Sequence, residues 1–216
     1  MIKSIKLYTA IVLSMIFWSF SFIWTRVAIQ SFPPMTLIML RLFIASVLLY
    51  TVTKVSGKFQ RLRGKDVKMF VMLAFFEPYL YYVGETYGLT MVQSTLASVI
   101  VSTIPLFAPV LAFVVLRERI GWANIIGIVV SLVGVFFLIY NPNGGFQANP
   151  IGVALLFLAV FSAICYATTL RKISTHYSTL NVIFYQSLIG LGFFIPTFLF
   201  TDFATIQTIK VTGEAI

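Results

Sequence analysis

The segment KVSGKFQRLRGKDVK, residues 54–68, decides how the chain is folded. It sets Lys54, Lys58, Arg61, Arg63, Lys65 and Lys68 in a short polar connection between two long apolar runs. Outward from it, every second connection is basic. Lys3 and Lys6 lead the chain, Arg117 and Arg119 follow the fourth apolar run, and Arg171 and Lys172 follow the sixth. The intervening connections, residues 28–34, 88–93 and 141–150, hold no Lys or Arg. Twelve of the fifteen Lys and Arg therefore lie in alternate loops. Cytoplasmic loops are the ones enriched in Lys and Arg. The pattern predicts seven crossings of a membrane, with the N-terminus in the cytoplasm.

Composition points the same way. Apolar residues make up 60% of the chain and charged residues 10%, with a mean hydropathy of +1.00. Soluble domains carry about 25% charged residues, so lipid must solvate most of this surface. The runs cover residues 8–27, 34–53, 67–87, 93–116, 122–140, 151–170 and 182–200. Each is near the ~20 residues that a helix needs to cross ~30 Å of hydrocarbon. Lipid offers no partner to a free backbone group, and runs without dyad alternation are helical, so the fold class is all-α and polytopic. Tyr8, Tyr87, Trp122 and Tyr140 sit near run ends, as an interfacial belt does. The first run follows two lysines but has no small-residue cleavage site after it, and so reads as an uncleaved span.

Several function classes drop out. The net charge of +9 follows from cations held beside anionic headgroups, which makes membrane lipid the partner and excludes nucleic acid. The lone Cys165 cannot form an internal disulfide, and the lone His176 cannot complete a metal set. No glycine-rich phosphate loop appears. The residues imply no metal, no cofactor and no enzyme.

Four ionisable residues fall within the runs or at their ends: Arg26, Arg41, Glu77 and Glu85. A charge at the membrane centre costs at least about 2.5–3.5 kcal/mol, so each calls for a partner or a watery cavity. At 1.5 Å per residue, Glu77 lies about 15 Å deep and Arg41 about 11 Å from the opposite edge, whereas Arg26 and Glu85 both lie about 27 Å along their helices. Depth therefore pairs Arg41 with Glu77 and Arg26 with Glu85. Pro78 kinks the third helix beside Glu77, and Glu77, Tyr81 and Glu85 share one face. Desolvation favours a neutral carboxyl there and a nearby arginine favours a charged one, a balance that suits either a proton-coupled step or a static pair. Ser94, Ser98 and Ser102 recur every fourth residue ahead of Pro105 and Pro109, forming either a close-packing seam or a hydroxyl-lined wall. Gly127, Ser131 and Gly134 read as packing residues. Trp18 and Phe22 stand one turn apart, as core or as part of a ligand platform.

There is a trace of duplication: residues 18–22 (WSFSF) and 161–165 (FSAIC) hold similar places, as do residues 40–45 and 185–190. A repeat that starts after five spans is inverted across the membrane, a common plan in secondary transporters. Stronger marks lie in residues 88–140. They are Gly88-Leu89-Thr90, Ala97-Ser98, Ile104-Pro105-Leu106, Leu116-Arg117-Glu118-Arg119-Ile120, Gly127 and Leu132-Val133-Gly134-Val135. This stretch resembles the end of an EamA-type repeat of the drug/metabolite transporter superfamily. Trp18 and Arg41 resemble the start of the same repeat, although Ser19 stands where a glycine is usual.

The resemblance implies a carrier of two inverted five-helix halves. Residues 1–140 would be the first five-helix repeat, residues 151–200 the first two helices of an incomplete second one, and residues 201–216 a short tail, as in a C-terminally shortened chain. Arg41, Pro105 and Glu118 match family marks. The expected function is alternating-access secondary transport of a small metabolite, amino-acid-like or drug-like solute across the inner membrane, directed outward, with proton coupling as an option. Trp18, Arg41, Glu77, Tyr81, Ser98 and Ser102 are the candidate substrate-binding residues. The competing readings are a non-transporting membrane scaffold or fragment and, further off, a membrane-embedded lipid enzyme.

Overall fold

The computed structural model describes residues 2–116, 120–141, 145–146, 148–173 and 175–203, with side chains from residue 7 onward and not at 111–112, 114–116, 141 or 145–146. Arg117, Glu118 and Arg119, and the tail beyond residue 203, lie outside the described residues. Helices α1 (Ile2–Ala28), α2 (Pro34–Val55), α7 (Trp122–Ile139), α8 (Pro150–Ile173) and α9 (Thr179–Thr201) are continuous, each with a segment long and apolar enough to cross a membrane. The third and fourth expected spans are each broken. One runs as α3 (Val67–Ala74), a π turn over Phe75–Leu80 and α4 (Tyr81–Met91). The other runs as α5 (Ser94–Val101) and α6 (Ile104–Leu116). In place of a plain turn after α7, residues Tyr140–Asn141 and Gly145–Phe146 pair as a two-residue antiparallel hairpin.

Both breaks have their cause in proline. Glu77 has extended angles, φ −139° and ψ 119°, and precedes a cis peptide bond to Pro78. Proline supplies no N–H and collides with the carbonyl four residues back. The Phe76 carbonyl near the break accepts both the Tyr81 N–H and, from α8, the Ser162 hydroxyl at 2.5 Å. In the fourth span Ser102 and Thr103 form a turn ahead of Pro105. The hydroxyl of Ser102 there donates to the Ser98 carbonyl and that of Thr103 to the Ile100 carbonyl.

Two helix pairs hold the bundle together. In the first, α4 lies against α8 so closely that a Cβ on Gly84 would sit 2.5 Å from the Leu155 carbonyl oxygen, and one on Gly88 would sit 2.8 Å from Leu156. Small residues four apart allow this backbone approach where lipid provides no hydrophobic drive. In the second, α2 packs along α9, with Met35, Ile38, Leu42 and Phe194 buried together. Asp202 at the end of α9 accepts bonds from the Thr36 N–H (2.8 Å) and the Thr36 hydroxyl (3.1 Å). It thereby caps the α2 N-terminus with a negative charge. At the other end of α9, Asn181 is fully buried. It bonds the 54–68 connection through the Gln60 N–H and the Lys58 carbonyl, while Tyr185 accepts from the Leu62 N–H and donates to the Gln60 carbonyl. The basic connection is thus pinned rather than loose.

Around this centre, α1 and α7 are apolar and largely unburied. Trp24, Val130 and Phe137 are 59%, 64% and 70% exposed. So much apolar surface is tenable only in lipid, and the chain is a multi-pass α-helical membrane protein. Gly127 packs near Leu106, but Gly134, expected as a packing residue, faces open space.

Candidate functional site

The break at Pro78 places Glu77 where a regular helix would not. With α3 ended and α4 not yet begun, the Glu77 side chain points into the bundle, where it lines a cavity of about 450 Å³ together with Trp18, Arg41, Tyr81, Tyr82, Glu85, Pro105 and Tyr166. Arg41 enters from α2 and lies over the Tyr82 ring, 4.6 Å from its centroid. This cation–π contact is worth more once desolvated. Its guanidinium also interacts electrostatically with both Glu85 and Glu77. Tyr81 donates to Glu85 Oε1 at 3.3 Å, and both side chains are buried, at 5% and 4% exposure. Trp18 closes one wall, tilted against Phe22 at 5.9 Å. The result is one cation, two carboxylates and four aromatic rings around a space large enough for a small organic solute.

Four of the six residues singled out from the sequence, Trp18, Arg41, Glu77 and Tyr81, meet at this cavity. Ser98 and Ser102 lie apart from its lining: their hydroxyls donate to the Thr95 and Ser98 carbonyls of their own span. Such back-bonding satisfies a hydroxyl locally. The pairing of Arg26 with Glu85 is not what the structure shows. Arg26 donates to the Leu89 carbonyl, one of the last carbonyls of α4, which have no partner within the helix. A cation there also complements the helix dipole. Glu85 instead faces inward toward Tyr81 and Arg41. Depth along an axis does not fix azimuth, and Glu85 lines the same cavity as Glu77.

Sequence reasoning missed Tyr82 and Tyr166 as lining residues. Neither carries a charge to mark it within an apolar run. Tyr166 does have a legible counterpart, the amide of Gln186 in α9, to which it donates at 3.0 Å.

Residues 5–140 match the model of the EamA-like transporter family. The chain is 28% identical to a protein named "Uncharacterized transporter" from Archaeoglobus fulgidus, over 82% of this chain and 62% of that protein. It is 28% identical to a "Probable terminal-alkyne amino-acid exporter" from Streptantibioticus cattleyicolor, over 90% of this chain and 64% of that protein. It is 29% identical to an "S-adenosylmethionine uptake transporter" from Rickettsia prowazekii, over 51% of this chain and 37% of that protein. The chain spans about three fifths of the length of the first two of these relatives. With the family model covering more than half of its residues, the chain belongs to the EamA-like transporter family.

Proposed function

We propose that the protein carries a small metabolite, amino-acid-like or drug-like solute across the inner membrane by alternating access, outward, with Glu77 exchanging a proton during the cycle. It acts as a carrier and not as an enzyme, and its N-terminus faces the cytoplasm. Residues 1–140 form one five-helix repeat and residues 151–200 begin an inverted second one. The observation that carries this reading is the cavity where Arg41, Glu77 and Glu85 converge with Trp18, Tyr81 and Tyr82 inside an otherwise apolar bundle. Ionisable groups at this depth are expensive and face cavities or pathways. Broken helices beside such groups are the usual construction of a transporter site. A solute with an anionic and a cationic group meets Arg41 and the carboxylates, and its apolar part meets the rings. Of the two relatives with named solutes, one is named for export and the other for uptake.

The test uses inverted membrane vesicles from cells that express the protein, loaded by an imposed pH gradient and offered a panel of labelled amino acids and amphipathic drugs. Saturable accumulation of at least one solute is expected. Arg41→Gln should lower it at least tenfold, as loss of a charge-assisted contact predicts. Glu77→Gln should leave flux that no longer responds to the gradient. Unchanged gradient dependence in Glu77→Gln rejects proton exchange at Glu77, and no accumulation of any solute rejects the carrier reading.

A further inference from the structure

Behind the central cavity lies a second one, of about 380 Å³, lined by Arg41, Glu77, Tyr82, Tyr166, Gln186 and Ser187 among others. Four of these residues, Arg41, Glu77, Tyr82 and Tyr166, line both spaces. The two spaces therefore adjoin at two tyrosine rings, a guanidinium and a carboxylate. The second space lies toward the end of the bundle that carries the 54–68 connection, because its α9 residues fall in the first half of that helix.

The second cavity brings groups of its own. Gln186 and Ser187 are buried, at 7% and 5% exposure. Gln186 Oε1 accepts from Tyr166, and that bond fixes the amide so that its two N–H donors are left over. Neither Gln186 Nε2 nor Ser187 Oγ has a hydrogen-bond partner among the described residues, and both residues line the cavity. Buried polar atoms are normally paired. Three sets of donors, from Arg41, Gln186 and Ser187, thus converge on a space that holds the single carboxylate Glu77. Planar guanidinium and amide donors match an oxyanion.

Resting on the carrier reading above, we propose that this cavity is a second station on the solute's path, which takes the oxyanion-bearing end of the solute. Arg41 holds the solute's oxyanion in both stations and hands it past the two tyrosine rings to Gln186 and Ser187. The solute class this selects carries a carboxylate or a comparable oxyanion.

The test reads chemical access to a cysteine at Ser187. In detergent-solubilised protein with Cys165→Ala, Ser187→Cys is treated separately with 2-sulfonatoethyl and 2-(trimethylammonio)ethyl methanethiosulfonate. Each rate is divided by that of the same reagent with free 2-mercaptoethanol. Ala163→Cys, at the central cavity, is run in parallel. At position 187 the sulfonate reagent should be preferred. Gln186→Ala should lower that preference roughly tenfold, the effect of losing one bond to a charged group. Gln186→Glu keeps an acceptor for Tyr166 but should lower the preference further, past inversion. Equal effects of Ala and Glu would mean mere loosening of the wall and would overturn the proposal. So would a cysteine at 187 that is inert while the one at 163 reacts, or one that prefers the cationic reagent. Inertness at both positions would instead sink the central cavity and the carrier reading with it.

Discussion

At the scale of single residues, membrane burial turns each polar atom into a question of partners. Ser162 is fully buried, and its hydroxyl bonds the Phe76 carbonyl beside the broken stretch. Losing one buried hydrogen bond costs about 0.5–1.5 kcal/mol, so Ser162→Ala should lower the thermal unfolding midpoint in detergent by a few degrees, whereas Ser19→Ala, on an exposed face of α1, should not. An unshifted midpoint for Ser162→Ala would show that the Tyr81 N–H alone satisfies the carbonyl. The residue-level features legible in the sequence were the charged ones: Arg41 and Glu77 stood out because a charge in an apolar run demands a reason. Ser98 and Ser102 stood out by spacing alone, and spacing does not say whether a hydroxyl looks outward or back to its own helix. Tyr82 and Tyr166 were silent, because a tyrosine in a membrane helix is unremarkable until the fold turns it toward an arginine.

Among elements, the decisive contact is the glycine-mediated crossing of α4 and α8. The clash distances at Gly84 involve the backbone of Leu155 and Ala159, which cannot swing aside as a side chain can. Gly84→Leu should therefore separate the helices and cost well over the ~1–3 kcal/mol of ordinary overpacking, seen as loss of a monodisperse peak in size exclusion. Gly134→Ala, with nothing within 4 Å, should leave the elution profile unchanged and gain slightly from helix propensity. A stable Gly84→Leu would refute the close approach. The sequence announced that the third and fourth spans would bend, since Pro78 and Pro105 are visible there. It did not announce the full break, because whether a proline kinks or severs a helix depends on what receives the freed carbonyls. Here a second bond to the Phe76 carbonyl, beside the break, comes from Ser162, 86 residues away along the chain. The break also divides allegiance: α3 packs mainly on α9 and α4 mainly on α8. Glu77 thus stands at the junction of two packed groups of helices, where a rocking motion would act on it directly.

Over the whole molecule, the basic connection is what the proposed orientation rests on, and the structure gives that connection a definite form. Seven crossings could be counted from the sequence because each needs a long apolar run. Which helices touch could not, because apolar helices in lipid are nearly interchangeable by composition and are sorted by small residues and buried polar bonds. The pinning of residues 58–66 by Asn181, Tyr185 and Tyr177 was equally invisible, since it joins segments more than a hundred residues apart. One consequence is that the 54–68 cations form a fixed, exposed platform at one end of the bundle. Moving so many cations across a bilayer during insertion is opposed both by the cost of charge in hydrocarbon and by the attraction of anionic lipids in the cytoplasmic leaflet. The expected topology follows. In a Cys165→Ala background, Ser31→Cys should react with a membrane-impermeant maleimide in intact spheroplasts, and Lys65→Cys should react only after permeabilisation. The reverse pattern would turn the bundle over. The second cavity would then open toward the outside, and the outward direction proposed for the solute would have to be abandoned while the cavity itself remained.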